Sequence, residues 1–239
     1  MARKPAKTNG LQNKNVVMAN TLTRSAQRLS LAEKRMLFAA IAKMGGKFGE
    51  VKITATEYAE TFDMPPNQAY EQLKDTAKNF LQRYFTLVEP DEDGKGQMVW
   101  HIGWTAKVGY HDKQGFVTIK FSDEIVPYLC EFTGKFTKYK LKQACALRSV
   151  YSWRLLELFE QFRSTGEVMI PVDKFCHAME ATDKQQANFG KLRTQIIEPA
   201  IKELCDKDGW LIGFTFTKAG RKVDQLKFTF EKNPQGTLF

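Results

Sequence analysis

Apolar side chains at Leu192, Ile196, Ile197, Ala200, Ile201 and Leu204 recur three or four positions apart within residues 188–206, the spacing that lays one face of a helix on a core. Directly after it, Trp210, Ile212, Phe214 and Phe216 alternate with Leu211, Gly213, Thr215 and Thr217, and Leu226, Phe228 and Phe230 alternate with Lys227, Thr229 and Glu231. A period of two predicts two strands, each with a core face and an outward face. The joining segment KAGRKVD predicts a tight reversal at Gly220, with Lys218, Arg221 and Lys222 making a positive tip. Upstream, Leu147, Val150, Tyr151, Leu155, Leu158, Phe159 and Phe162 mark the inward stripe of a long helix that stops at Gly166. Arg148, Arg154, Glu157, Glu160 and Arg163 are expected on its outward side. A strand over residues 168–170 and a helix over 171–179, with Pro171 in its first turn, complete the set. Helix, strand, helix, helix, hairpin is the order of a winged helix.

The first half carries the same order once before. A short apolar stretch at 16–22 reads as an opening helix. Ser30 followed by Glu33 has the spacing of a capping box, and Leu31, Met36, Leu37, Ala40, Ile41 and Met44 form the stripe of the helix it starts, closed by Gly45 and Gly46. A strand over 51–53, a brief helix from Thr54 or Thr56 to Phe62, and a turn at 64–67 lead into a longer helix reaching about Arg83, with Ala69, Leu73, Ala77, Phe80 and Leu81 inside. Strands are expected over 84–88, 98–107 and 116–121, then a short helix over 122–129 and an extended connector over 134–142. The reading is an α+β chain of two tandem winged-helix domains: a basic arm over 1–12, an N-terminal domain over 13–132 and a C-terminal domain over 133–239. The two halves share little residue identity, so the repeat is one of architecture.

Charge then directs the search for function. The 239 residues carry a formal net charge of +9, and a field of that sign draws polyanions. It is spread along the chain: residues 1–35 hold eight Lys or Arg against one acid, and residues 184–222 hold eight against four. In the helix that begins near 188 the charges are polarised. Lys184, Lys191 and Arg193, with Gln186, Asn188 and Thr194, lead, whereas Glu198, Glu203, Asp206 and Asp208 follow. The helix dipole favours the reverse, so cations and amides gathered at the N-terminal end point to an anionic partner there, and recognition helices present their N-terminal residues to DNA base edges.

Catalytic and metal chemistry find little support. His101, His111 and His177 are scattered, Cys130, Cys145, Cys176 and Cys205 lie 15, 31 and 29 apart without a CxxC pair, and neither a phosphate-binding G-x-x-x-x-G-K-[ST] nor a G-x-S-x-G elbow occurs. A non-enzymatic protein without cofactor is expected. The first ten residues are basic without an apolar run, and no stretch approaches the length of a membrane span, so a cytoplasmic location and no membrane partner are expected.

The stretches RLSLAEKRMLFAAIAKM, KFTKYKLKQACALRSVYSWRLLELFEQF and NFGKLRTQIIEPAIKEL, the last followed by the aromatic hairpin, resemble the initiator replication proteins of theta-replicating, iteron-containing plasmids. The most specific part is Ser149, Tyr151, Arg154, Leu155, Glu157 and Leu158 together with Ile197, Glu198, Pro199, Ala200, Ile201 and Glu203. The resemblance implies two winged helices that each lay a helix in the major groove of a repeated origin sequence, the iteron. It implies monomers that help open adjacent AT-rich DNA and recruit a host replication initiator and the replicative helicase. It also implies a homodimer, in equilibrium with the DNA-binding monomer and paired through the N-terminal domain, that represses the initiator's own gene at its operator and so bears on copy control. Carried over by residue, DNA contacts fall on Asn188, Lys191, Arg193 and Thr194. Gly190 and Leu192 stand where many relatives have a denser basic cluster. In the first domain the equivalent helix offers Lys74 and Lys78 as phosphate contacts, next to Glu71 and Asp75, and a solvated face there is an equal alternative. A dedicated winged-helix transcriptional repressor, or a structural nucleoid protein, would share the fold and the charge.

Overall fold

The computed structural model describes residues 10–47, 49–91, 93, 95–130 and 135–233. After a single 3-10 turn, Leu11–Asn13, the first half runs β1 (Asn15–Ala19), α1 (Asn20–Arg24), α2 (Leu31–Met44), β2 (Glu50–Thr54), α3 (Ala55–Phe62) and α4 (Pro66–Phe80). It continues with β3 (Tyr84–Pro90), β4 (Gln97–Gly103), β5 (Thr105–His111), β6 (Phe116–Phe121) and α5 (Val126–Leu129). The second half runs β7 (Phe136–Lys140), α6 (Lys142–Cys145), α7 (Val150–Gln161), β8 (Glu167–Pro171), α8 (Val172–Met179) and α9 (Asp183–Gln186). Then α10 (Phe189–Leu192), a π turn (Arg193–Ile197) and α11 (Glu198–Asp208) form one unbroken helix before β9 (Trp210–Ala219) and β10 (Lys222–Lys232).

The two halves repeat a topology. One sheet has the strand order β2-β6-β5 and the other β8-β10-β9, so in both the last strand of the hairpin returns to the middle, beside the strand that follows the first helix. Mixed helices and sheets in this order are two winged helices. The local causes are those expected from the sequence: Ser30 Oγ accepts from the Glu33 amide while Glu33 accepts from the Ser30 amide, Thr54 and Glu57 do the same at α3, and Gly45 closes α2 at φ 56°.

Several expectations change. Residues 16–22 do not make an opening helix: β-branched Val16 and Val17 lie in β1, which pairs antiparallel with β7, and the helix starts only at Asn20. Within the connector expected over 134–142, Phe136–Lys140 is thus a paired strand, and the β1–β7 ribbon ties Asn15–Ala19 to the second half. The single strand expected over 98–107 is two, β4 and β5, because the chain turns at Trp104, whose indole is fully buried while its amide donates to Arg83 and its carbonyl accepts from Ser122. This makes β3–β4 a separate hairpin inserted between α4 and the sheet of the first winged helix. Helix α4 ends at Phe80, so Leu81 is 56% exposed and not in the core. Pro171 caps α8 from outside and does not enter its first turn. The boundary expected at 132/133 and residues 1–9 of the expected arm lie outside the described residues; of the arm's remainder, Leu11 is buried and Gln12 donates to the Glu60 and Thr61 carbonyls.

The largest correction concerns α7. Arg154, Glu157 and Glu160, expected outward, are buried. Lys34 of α2, itself fully buried, meets Glu157, Arg35 donates to the Leu147 carbonyl at 2.9 Å, Arg154 donates to the Ser25 and Ala178 carbonyls, and Glu160 accepts from Gln143 and Arg163 within the second half. Phe38 and Trp153 pack edge to face at 5.3 Å beside them. Although the two halves are winged helices of their own, the buried apolar residues form one cluster that runs through both.

Candidate nucleic-acid interface

The helix from Phe189 to Asp208 buries Leu192, Ile196, Ile197, Ala200 and Leu204, with Ile201 partly covered, so its opposite side is left to solvent. Asn188 starts it: its side-chain oxygen accepts from the Lys191 amide at 3.1 Å, while its amino group stays free of that cap. Lys184, Gln186, Asn188, Lys191, Arg193 and Thr194 are all exposed. The first turn of this helix and the preceding α9 thus carry the cations and amides on one open end, where the backbone amides also point.

Several of these side chains already have partners. Gln186 donates to the Ala181 carbonyl at 2.7 Å, and Thr194 donates to the Gly190 carbonyl at 2.8 Å. Arg193 gives its Nε to Glu198 at 2.7 Å, with both side chains about half exposed. In an α-helix, residues five apart do not align; the π turn over Arg193–Ile197 brings these two into line. Gln185 and Gln195 join α9 to the same turn at 3.1 Å, placing a second amide pair on the exposed side.

The hairpin is fastened to this end of the helix. The Phe216 ring of β9 lies 4.8 Å from that of Phe189, and Phe214 packs on Phe228 at 5.1 Å. Trp210, Leu226, Phe228 and Phe230 reach the core; Ile212, Phe214 and Phe216 are only half-buried. Gly220 takes φ 62°, the left-handed conformation the reversal requires, and Lys218, Arg221 and Lys222 stand exposed around it. The contact between Phe189 and Phe216 was not anticipated; an aromatic at the first position of the helix, with an aromatic strand after it, was the available signal.

In the first winged helix, Lys74 and Lys78 project from α4, but each is held by an acid. Lys74 meets Asp112 at 2.8 Å, a hydrogen bond that raises its pKa to about 12, and Lys78 meets Asp75 at 2.7 Å, which raises its pKa for the same reason. Tyr70 donates to Asp112 as well. This face is therefore closer to neutral than that of the second winged helix. Cys130, Cys145 and Cys176 are buried and Cys205 half-buried, all unbridged, and among the described residues no three His, Cys, Asp or Glu side chains gather as a metal site would need. Among the described residues no helix is long and apolar enough to cross a membrane.

Comparison with known proteins agrees with this geometry. Residues 15–160 match the family model described as Initiator Replication protein, WH1, and residues 171–230 that described as Initiator Rep protein, WH2. The chain is similar to the PI protein of Escherichia coli, 27% identical over 246 residues that cover 88% of this chain and 80% of that protein. It is also similar to an uncharacterized 27.6 kDa protein of Escherichia coli, 26% identical over 222 residues that cover 86% of this chain and 91% of the other. Among solved structures it resembles the Pi initiator protein in complex with iteron DNA, with a TM-score of 0.80 and 25% identity across 93% of this chain and 99% of that one.

Proposed function

Because the chain belongs to the initiator replication proteins, with WH1 and WH2 domains in tandem, we propose that it initiates plasmid replication by binding iteron repeats at an origin. The observation that carries this is the open end of the helix from Phe189, where Lys191 and Arg193 stand exposed and the basic hairpin tip is fastened alongside through Phe216. The fold similarity to an initiator solved with iteron DNA supports the same reading. The helix end enters a major groove, with Lys191, Arg193 and Thr194 toward base edges and Lys184, Lys218, Arg221 and Lys222 on phosphates. Helix α4 of the first winged helix lies on the neighbouring turn, using Lys74 and Lys78 on the backbone once their acids release them. Two helices one turn apart cover roughly 20 base pairs. The division into two DNA-binding units at about residue 132 belongs to this proposal.

In the same scheme several protomers on adjacent repeats open the neighbouring AT-rich duplex with their binding energy, and host replication proteins are recruited to the opened strand. Dimers, paired through the N-terminal half, repress the protein's own gene. The protein acts by binding, without covalent chemistry.

The test is a binding titration of the purified chain on duplexes with direct repeats, an inverted repeat or scrambled sequence, cut from the DNA that flanks its reading frame. Preference for direct repeats is expected. Preference for the inverted repeat alone would make it a dedicated repressor, and equal binding to all three a nucleoid protein.

A further inference from the structure

Strand β8 is the edge of its sheet, paired with β10 alone among the described residues. Phe230 donates to the Gly166 carbonyl at 2.8 Å, and the register continues Val168 to Phe228 and Ile170 to Leu226. Antiparallel pairing alternates, so residues 166, 168 and 170 bond to β10 while Met169 turns its N–H and C=O to the open side. An edge with unpaired backbone is a template for another strand unless something covers it. Here a cleft of about 300 Å³ runs beside it, between β8, α7, α8 and α1.

The cleft has an apolar floor and a cationic rim. Phe162 and Ile170 line it, and Met169 is 60% exposed, the most open large apolar side chain among the described residues. Arg24 of α1 and Lys174 of α8 both line it, with His177 one turn on from Lys174. Arg24 is held over the Phe162 ring at 5.5 Å and bonds the Gln161 amide at 3.2 Å, and among the described residues neither Arg24 nor Lys174 has a carboxylate partner. An exposed methionine between apolar walls adapts to varied side chains, and two cations without acids select a negative partner.

From this we propose that the cleft binds an extended segment of a partner protein, in which apolar residues alternate with Asp or Glu, as an added strand on β8. The backbone of Met169 supplies hydrogen bonds, the floor takes the apolar side chains, and Arg24 and Lys174 take the acids. The surface works independently of DNA reading: none of the residues that form it lies on the helix from Phe189 or on the hairpin tip, so a bound initiator still offers it. Because Arg24 comes from the first half and the remainder from the second, the cleft is complete only while the two winged helices keep the docking seen here.

The experiment titrates the full chain into a fluorescein-labelled peptide of alternating acidic and apolar residues, about as long as a strand of five to six residues with flanks. Two controls are a peptide with lysine at every acid and one N-methylated on alternate amides. Saturable binding of the acidic peptide is expected, at least roughly tenfold weaker for either control. It should be weakened as much by Met169→Asp or by Lys174→Glu, two exposed positions where the urea midpoint should hardly move. Amide exchange at Met169 should slow on binding. The proposal is overturned if the acidic peptide fails to saturate, if the lysine peptide binds equally, if N-methylation has no effect, or if neither variant weakens binding. Repeat-DNA binding, titrated in parallel, reports separately on the function proposed above.

Discussion

The ammonium of Lys34 lies 2.9 Å from the carboxylate of Glu157, and both side chains are sealed from solvent. The pair joins α2 of the first winged helix to α7 of the second, and its remaining valences are met. Lys34 donates to Gln27 at 2.7 Å, Tyr139 donates to Glu157 at 3.3 Å, and Trp153 donates to the Tyr139 hydroxyl at 2.8 Å. Two charges withdrawn from water recover their hydration only through such partners, so removal of one partner is far more damaging than removal of both. Glu157→Ala is expected to lower unfolding free energy by about 3–5 kcal/mol, whereas Lys34→Met with Glu157→Leu should be close to neutral or stabilising. Urea unfolding of the three proteins checks this. A double variant as unstable as the single one would show that packing shape, not charge, decides the junction.

The same pair gives a pH dependence. Burial lowers the Lys34 pKa from 10.5 to about 8, against the pull of Glu157 in the other direction. Between about 8 and 10.5 the unfolded lysine keeps a proton that the folded one has lost, so unfolding takes up a proton and becomes harder as pH rises. The cost of the buried charge is fully present below pH 8 and is relieved across that window. Relative to the Lys34→Met, Glu157→Leu variant, the unmodified chain should therefore gain stability from pH 8 to 10. A difference that stays flat over the interval would count against a depressed Lys34.

How far the sequence could be read follows from what each signal depends on. The helices α2, α4, α7 and the one after Asn188 were legible because a helix buries a local, periodic set of side chains, although α2 and α7 also bury Phe38, Trp153 and Leu156 outside the expected stripes, and the β9–β10 hairpin was legible because its alternation flanks a glycine turn. The same rule misplaces Arg154, Glu157 and Glu160: polar positions on a helix read as outward, and the partners that make burial tolerable, Lys34 for Glu157, the Ser25 and Ala178 carbonyls for Arg154 and Gln143 for Glu160, lie on other elements. Val16 and Val17 were read as helix since the partner that holds them extended, β7, is more than a hundred residues away. At the interface, which residues are exposed was legible, but not what holds them. The Arg193 and Glu198 pairing needs a π turn, and no periodic pattern signals one.

Phe216 and Phe189 carry a separate expectation. Their rings are the fastening between hairpin and helix end, at the rim and not the centre of the core. Phe216→Ala should cost about 0.5–1.5 kcal/mol for the aromatic pair, beyond the area it uncovers. Its effect on DNA should be larger on the hairpin's phosphate contacts than on base preference, lowering affinity for repeat and scrambled duplex alike. Parallel thermal unfolding and anisotropy titrations separate the two quantities. Unchanged DNA affinity in a destabilised protein would mean that the hairpin does not depend on this contact.

Gly220, at φ 62° with no neighbour within 4 Å of where a Cβ would lie, isolates backbone strain from crowding at the hairpin tip. Gly220→Val should destabilise by roughly 1–2 kcal/mol through that conformation alone. Asn tolerates the left-handed region better, so Gly220→Asn should lose less. Equal losses, read from urea midpoints, would place the cost elsewhere than in the turn.

The base-reading assignment rests on Arg193, and its pairing with Glu198 makes that assignment testable from both sides. An ion pair about half exposed is worth about 0–1 kcal/mol. If Arg193 must leave Glu198 to reach a base, Glu198→Gln should strengthen repeat binding by up to about fivefold. Arg193→Ala should cost about 1–3 kcal/mol on the repeat and little on scrambled duplex, while Lys222→Ala should weaken both equally and reduce the magnitude of the salt slope by about 0.9. The comparison separates base reading from phosphate contact because the two cations stand on different elements. Arg193 sits over a helix turn that can enter a groove, and Lys222 sits at a hairpin tip that meets only the backbone. Should Arg193→Ala and Lys222→Ala reduce affinity for both duplexes in the same proportion, with Glu198→Gln strengthening both, Arg193 is a phosphate contact and sequence is read by Lys191 or the exposed Gln195 beside it.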